Sequence, residues 1–317
     1  MSAQLLEQAQ AFEPVPLSKN LVALRDALDA FAPDLMRIAE IIKRDVALTG
    51  RVLARNNGGD KQREWLTGSV PRAVTNLGLS QVEAPLEELF FEVPILSRTN
   101  PLYYIAQSSA KVARCAAAIA REVNDLSLLV QNGRIRPLDP ELAYSTALML
   151  GAGQWCLVGS SAKYRRALQR KQRQLDWTLR AELTLEMEWF GFQRYQVGAT
   201  LCRQWGLPAS VSDIVAAPRQ GLTLLKAGRS IKFRDGVALQ AVVGLAQWLA
   251  DPIPGKQPSE DAEQLQELLS FFGLSDEQWQ QIDDDLAQML VEEEEMDLVY
   301  KTTADEPTLR DEGVSRP

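Results

Sequence analysis

AYSTALMLGAGQWCLVG, residues 143–159, is the stretch on which the fold turns. It carries no charge, and its apolar residues show no period-two alternation, so it reads as a buried helix and not as a strand. Asp139-Pro140 opens it with an N-cap residue followed by a first-turn proline. The helix runs into Gly151-Ala152-Gly153 and then continues as another apolar turn. It is shorter than the ~20 residues that cross a bilayer, and no other uncharged apolar run approaches that length. A helix that is apolar nearly all round belongs inside a core.

The same helical grammar extends in both directions. Upstream, Asn100-Pro101 begins a long helix in which Leu102, Ile105, Ser109, Val112, Ala116, Ile119 and Val123 recur at spacings of three and four. Before that, Leu21, Leu24, Leu28 and Phe31 mark one helix, and Asp34 opens a second over residues 35–44 with Met36, Ile38, Ile41 and Ile42 apolar. Asp45 sits where an N-cap belongs, ahead of a helix carrying Ala47, Leu48, Val52 and Leu53 that stops near Asn56-Asn57-Gly58-Gly59. Ser69-Val70-Pro71 restarts the chain, and Ser80 with Glu83 forms a capping box for a helix running to about Val93. Downstream, residues 160–174 are amphipathic and basic, residues 177–189 are mixed, and Gly191 marks a break. Residues 237–249 form a last apolar helix before Pro252-Ile253-Pro254-Gly255, after which two acidic helices cover residues 260–272 and 276–298. No sustained alternation appears anywhere, so the fold class is all-α.

The 317 residues suffice for a substantial core with tails. Three scattered cysteines, Cys115, Cys156 and Cys202, lack the spacing of a disulfide framework or a zinc site. The first thirty residues lack the basic start, apolar centre and cleavage site of a secretory signal, so the expected compartment is the cytoplasm. A net charge of −8 hides an asymmetry: from Pro258 onward there are 18 acidic and 3 basic residues, against 42 and 34 in the whole chain. The body is therefore mildly basic and the C-terminal part strongly acidic. A separable C-terminal part follows, and so does the expectation that it meets the basic run KYRRALQRKQR at residues 163–173.

Asp45, Ala47, Leu48, Leu53 and Asn57, then Ala73, Val74, Leu77, Gly78 and Leu79, and finally YQVGATLCRQWGLP at residues 195–208, occur in that order. Together they resemble the HD-related output domain, the HDOD family of bacterial signalling proteins, over roughly residues 20–250. Residues 1–18, closed by Pro14-Val15-Pro16, read as a flexible arm, and the resemblance implies 19–97 as the N-terminal helical half and 98–254 as a degenerate HD-like half. Residues 255–317 follow as acidic helices and a disordered tail. HD enzymes hydrolyse phosphate esters with metals held by His and Asp. The resemblance places their His-Asp pair on Gly151-Ala152, the first histidine on Gln107 or Ser108, and the distal aspartate on Gln247. Histidines that the HDOD family often keeps fall on Arg194 and Pro218-Arg219. Amides, guanidiniums and glycines are poor metal ligands, and the chain contains no histidine at all.

The resemblance thus implies an HD fold kept as scaffold: no catalytic residue, no metal, no cofactor, and a regulatory role exercised through another signalling protein. The alternative is a sensor in which Arg194 and Arg219 hold an anionic nucleotide or phosphate. A residual phosphohydrolase, holding metal by carboxylates alone, is the least supported reading. Arg166, Arg170 and Arg173 line one face of the basic helix and form the candidate interaction surface, against a merely solvated face. Nucleic acid is not the expected partner, because no aromatics interleave with the run and the chain is acidic overall.

Overall fold

The structure is a computed structural model that describes residues 16–58, 66–87, 101–171, 179–218, 231–250 and 271–304, together with Pro14 and Leu269. Every regular element among these residues is a helix, so the fold is all-α. The chain divides into two compact units, residues 1–275 and 276–317. No helix among the described residues is long and apolar enough to cross a membrane.

The N-terminal half begins with α1 (Ser18–Leu28), which buries Leu21, Leu24 and Ala27. It ends at Leu28, so Phe31, expected on its apolar face, lies beyond it and is fully exposed. In α2 (Leu35–Lys43) the Asp34 carboxylate accepts from the Met36 amide at 2.8 Å, and Ile38, Ala39 and Ile42 turn inward while Met36 turns to solvent. The amphipathic face is thus one residue out of phase with Met36. Asp45 caps α3 (Val46–Asn57) as expected, accepting from the Ala47 and Leu48 amides at 2.9 and 3.2 Å. The same carboxylate also accepts from the Leu17 amide (2.8 Å) and Asn20 Nδ2 (3.1 Å), so one buried acid ties the start of α1 to the start of α3. Burial pushes its pKa up, and the four N–H donors pull against that shift.

α4 (Val70–Leu77) is capped by Ser69 and closed by Gly78 at φ 70, a left-handed turn that glycine adopts without a Cβ penalty. α5 (Leu79–Glu87) already includes Ser80, so the expected capping box at Ser80 and Glu83 lies inside the helix and does not start it. Its projected end near Val93 lies outside the described residues. The end of α3 clasps the loop before α4: Asn57 donates to the Thr67 carbonyl (3.0 Å) and accepts from the Thr67 amide (3.1 Å), which pins the approach to Ser69.

The second half is built around α6 (Pro101–Leu126), whose inward positions are those of the spacing pattern. α7 (Leu128–Gln131) is a single turn capped by Ser127, whose hydroxyl also donates to the Phe272 carbonyl at 2.7 Å. The central stretch becomes α8 (Pro140–Met149) and α9 (Ala152–Ser160), joined through Leu150 and Gly151 by amides bonded to carbonyls three residues back. Every residue of α8 from Ala143 to Met149 is buried, which is why it shows no polar face. It packs against α6 and α14 (Ile231–Ala250), and α14 begins earlier than the apolar run from Val237 suggests. α10 (Ala162–Lys171), α11 (Leu179–Phe190), α12 (Arg194–Gln204) and α13 (Ala209–Ala216) complete this half. The second unit contains α15 (Asp276–Ala304), with Asp276 and Glu277 in its first turn, where acids suit the helix dipole.

Candidate functional site

The two halves join where α3 and α8 meet. The Tyr144 hydroxyl donates to the Lys43 carbonyl at 3.0 Å, and the Lys43 ammonium lies 4.5 Å from the centre of the Tyr144 ring while pairing with Glu141 at 3.1 Å. The Trp-Gly-Leu-Pro turn after α12 closes the same junction. The Trp205 ring lies so close over Gly50 that a Cβ there would fall 2.6 Å from it. Gly206, at φ 66, lies against Asn57.

The positions on which the sequence resemblance would place HD ligands lie on α6, at the joint of α8 and α9, and on α14. A Cβ at Gly151 would sit 2.0 Å from Ser109 Oγ, and Ala152 is wholly buried. A Cβ at Gly153 would sit 1.8 Å from the Arg194 carbonyl oxygen and 2.8 Å from the Gly198 amide nitrogen. α9 and α12 thus pack backbone on backbone, and α6 closes on Gly151. Ser109 is the residue of α6 that faces Gly151; Gln107 is exposed and bonds within its own helix to Tyr103 at 3.3 Å. The rotation of α6 thus brings Ser109, and not Gln107, against Gly151. Gln247 Nε2 lies 3.5 Å from the Tyr195 hydroxyl.

These residues do not fit a metal. Glycine and alanine present no donor, the close approach leaves no room for a longer side chain, and the described residues contain no group of three or more metal-binding side chains.

Arg194 proves to be a structural cation. Its side chain is 6% exposed, and its Nε donates to Glu186 Oε1 at 2.6 Å while its backbone amide donates to Glu186 Oε2 at 2.8 Å. Its Nη2 pairs with Glu182 and bonds the Tyr164 hydroxyl at 3.2 Å. Tyr164 in turn donates to Glu186, and Gln154 Nε2 donates to Glu182 at 3.1 Å. Burial alone would lower the Arg194 pKa, but the carboxylates of Glu182 and Glu186 outweigh it and hold the guanidinium charged. Burial drives the Tyr164 phenol far upward, so it stays a neutral donor. With two carboxylates already on it, Arg194 is not the free anion-binding cation that the sequence suggests. Arg219 lies outside the described residues, as does Arg173. Arg166 and Arg170 are exposed on α10. Sequence reasoning did not single out Glu182, Glu186 or Tyr164; the only local signal is that the two glutamates stand four apart, on one helix face.

The chain matches the HDOD domain family over residues 15–220. The match stops short of α14, to which the sequence pattern had extended it. Nothing among the functionally curated proteins matches it. Among solved structures it is similar to the MmoQ response regulator of Methylococcus capsulatus, at 19% identity and TM-score 0.62, over 86% of this chain and 98% of that one. A fragment of the same regulator, residues 20–298, aligns at 20% identity and TM-score 0.60, over 83% and 92%. A virulence factor of Campylobacter jejuni aligns at 16% identity and TM-score 0.57, over 92% and 95%. At these identities the likeness is one of fold.

Proposed function

This chain belongs to the HDOD domain family, and we propose that it is a cytoplasmic signalling or regulatory protein in which the HD-type fold serves as scaffold. It hydrolyses no phosphate ester and acts by contact with another protein. The observation that carries this reading is the closure of the former ligand row: Gly151 against Ser109, and Gly153 against the Arg194 carbonyl. At Gly153 the backbones of α9 and α12 pack directly on one another, which leaves no space there for a ligating side chain. The chain also has no histidine, and among the described residues neither aligned position nor neighbour supplies a substitute ligand set.

The test is hydrolysis of bis(p-nitrophenyl) phosphate and of cyclic dinucleotides by the full-length chain with added manganese. The expected result is a rate equal to the protein-free control. Hydrolysis that scales with protein concentration and disappears with a chelator would return the chain to the enzymes.

A further inference from the structure

We propose that the outer face of α10 is a docking surface for an acidic segment of a partner protein. The proposal rests on the reading of the chain as an interaction scaffold and gives the chemistry of what the scaffold holds. The rotation of α10 is fixed from inside. Tyr164, Ala167 and Leu168 are buried, and the Tyr164 hydroxyl is held by Glu186. That leaves Lys163, Arg166 and Arg170, at spacings of three and four, together on the exposed face, with Arg165 half-buried at its edge.

Three observations set this face apart from an ordinary solvated one. First, α10 contains no acid, and among the described residues no carboxylate pairs with Lys163, Arg165, Arg166 or Arg170. On the next helix, α11, Glu182 and Glu186 are both turned to Arg194, leaving only Glu188 exposed beside Trp189. Second, Lys163 and Arg165 stand in the first turn, where cations oppose the helix dipole. Helix stability therefore runs against Lys163 and Arg165. Third, Lys163 Nζ is held 4.1 Å from the centre of the Trp189 ring, which limits the freedom that a partner would otherwise have to remove.

An acidic protein segment suits this face better than nucleic acid does. From Lys163 to Arg170 the face runs about 10 Å, the chain carries −8 overall, and no aromatic residue among the described residues of α10 is exposed for a base to stack on.

The test is fluorescence anisotropy of a labelled deca-glutamate peptide with the full-length protein at low salt. Arg166→Glu/Arg170→Glu is compared with Arg37→Glu/Arg72→Glu, which makes the same charge change at exposed sites elsewhere. Thermal melts confirm that both variants are folded. We expect wild-type binding that weakens with salt, about tenfold weaker binding in the α10 variant and a change of less than about twofold in the control. Equal losses in the two variants, or no peptide binding by the wild type, would overturn the docking face. So would tighter binding of decathymidylate than of the peptide. None of these three results touches the scaffold reading, which fails only if metal-dependent hydrolysis is found.

Discussion

Gly153 and the Arg194 carbonyl show how much of this protein is decided by single atoms. Replacing a helical glycine by alanine ordinarily gains about 1 kcal/mol of helix propensity. Here the added methyl would meet a backbone oxygen that cannot rotate away. Gly153→Ala is therefore expected to destabilise by roughly 1–3 kcal/mol or more in urea melts. Gly198→Ala, whose methyl would meet the Val215 side chain at 3.1 Å, should cost less. The reverse order would mean that α9 and α12 are not packed backbone on backbone. The buried thiols give a second test at this scale. Burial pushes Cys156 and Cys202 up to about 12 from 9.0, so both stay protonated in the folded protein well above neutrality. At pH 8 neither should react with a thiol reagent until the chain is unfolded. Above pH 9 the unfolded thiols ionise while the folded ones do not, so their contribution to stability is lost between pH 9 and about 12. The slope of stability against pH in that window should be shallower in Cys156→Ser/Cys202→Ser. An unchanged slope would show that the thiols are not shielded.

At the scale of elements, helix starts were legible because they are local. Asp34, Asp45, Ser69 and Asp139 all accept from amides two or three residues on, as their positions before apolar runs imply. Ser80 is not a cap because Gly78 already ends the previous helix, so the next starts two residues sooner, at Leu79. What could not be read was the meeting of α10, α11 and α12. The pairing of Arg194 with Glu182 and Glu186 depends on how three helices are rotated, and Arg194 alone reads as a free cation in a former metal site. The pairing is testable. Arg194→Met leaves Glu186 as an uncompensated carboxylate in the core and should cost about 3–5 kcal/mol. Adding Glu186→Gln removes that charge and should recover part of the loss. If the second change only adds to the first, the two residues are not coupled.

At the scale of the molecule, the first unit extends to Ser275, past the proline-rich linker where the sequence suggests a boundary. Leu269, Phe272 and Leu274 are buried, and Phe272 accepts the Ser127 hydroxyl, so the segment before Ser275 holds the foot of α6 and α7. A fragment ending at Ser275 should melt at a higher temperature than one ending at Gly255, which loses these side chains. Equal melting temperatures would place the boundary at the linker after all. The architecture itself was legible, since capped helices around one uncharged stretch leave few alternatives to an all-α fold. The close packing at Gly151 and Gly153 was not legible, because residue types can be read from a sequence but the approach of two helix backbones cannot. The central claim, that helix backbone stands where HD enzymes hold metal, is met most directly by elemental analysis of the full-length protein. The sample should be equilibrated with manganese, iron and zinc and then dialysed free of loose ions. The account predicts less than about 0.1 metal ion per chain and a melting temperature indifferent to chelator. About one ion per chain, with a melting temperature that falls when the ion is stripped, would contradict it.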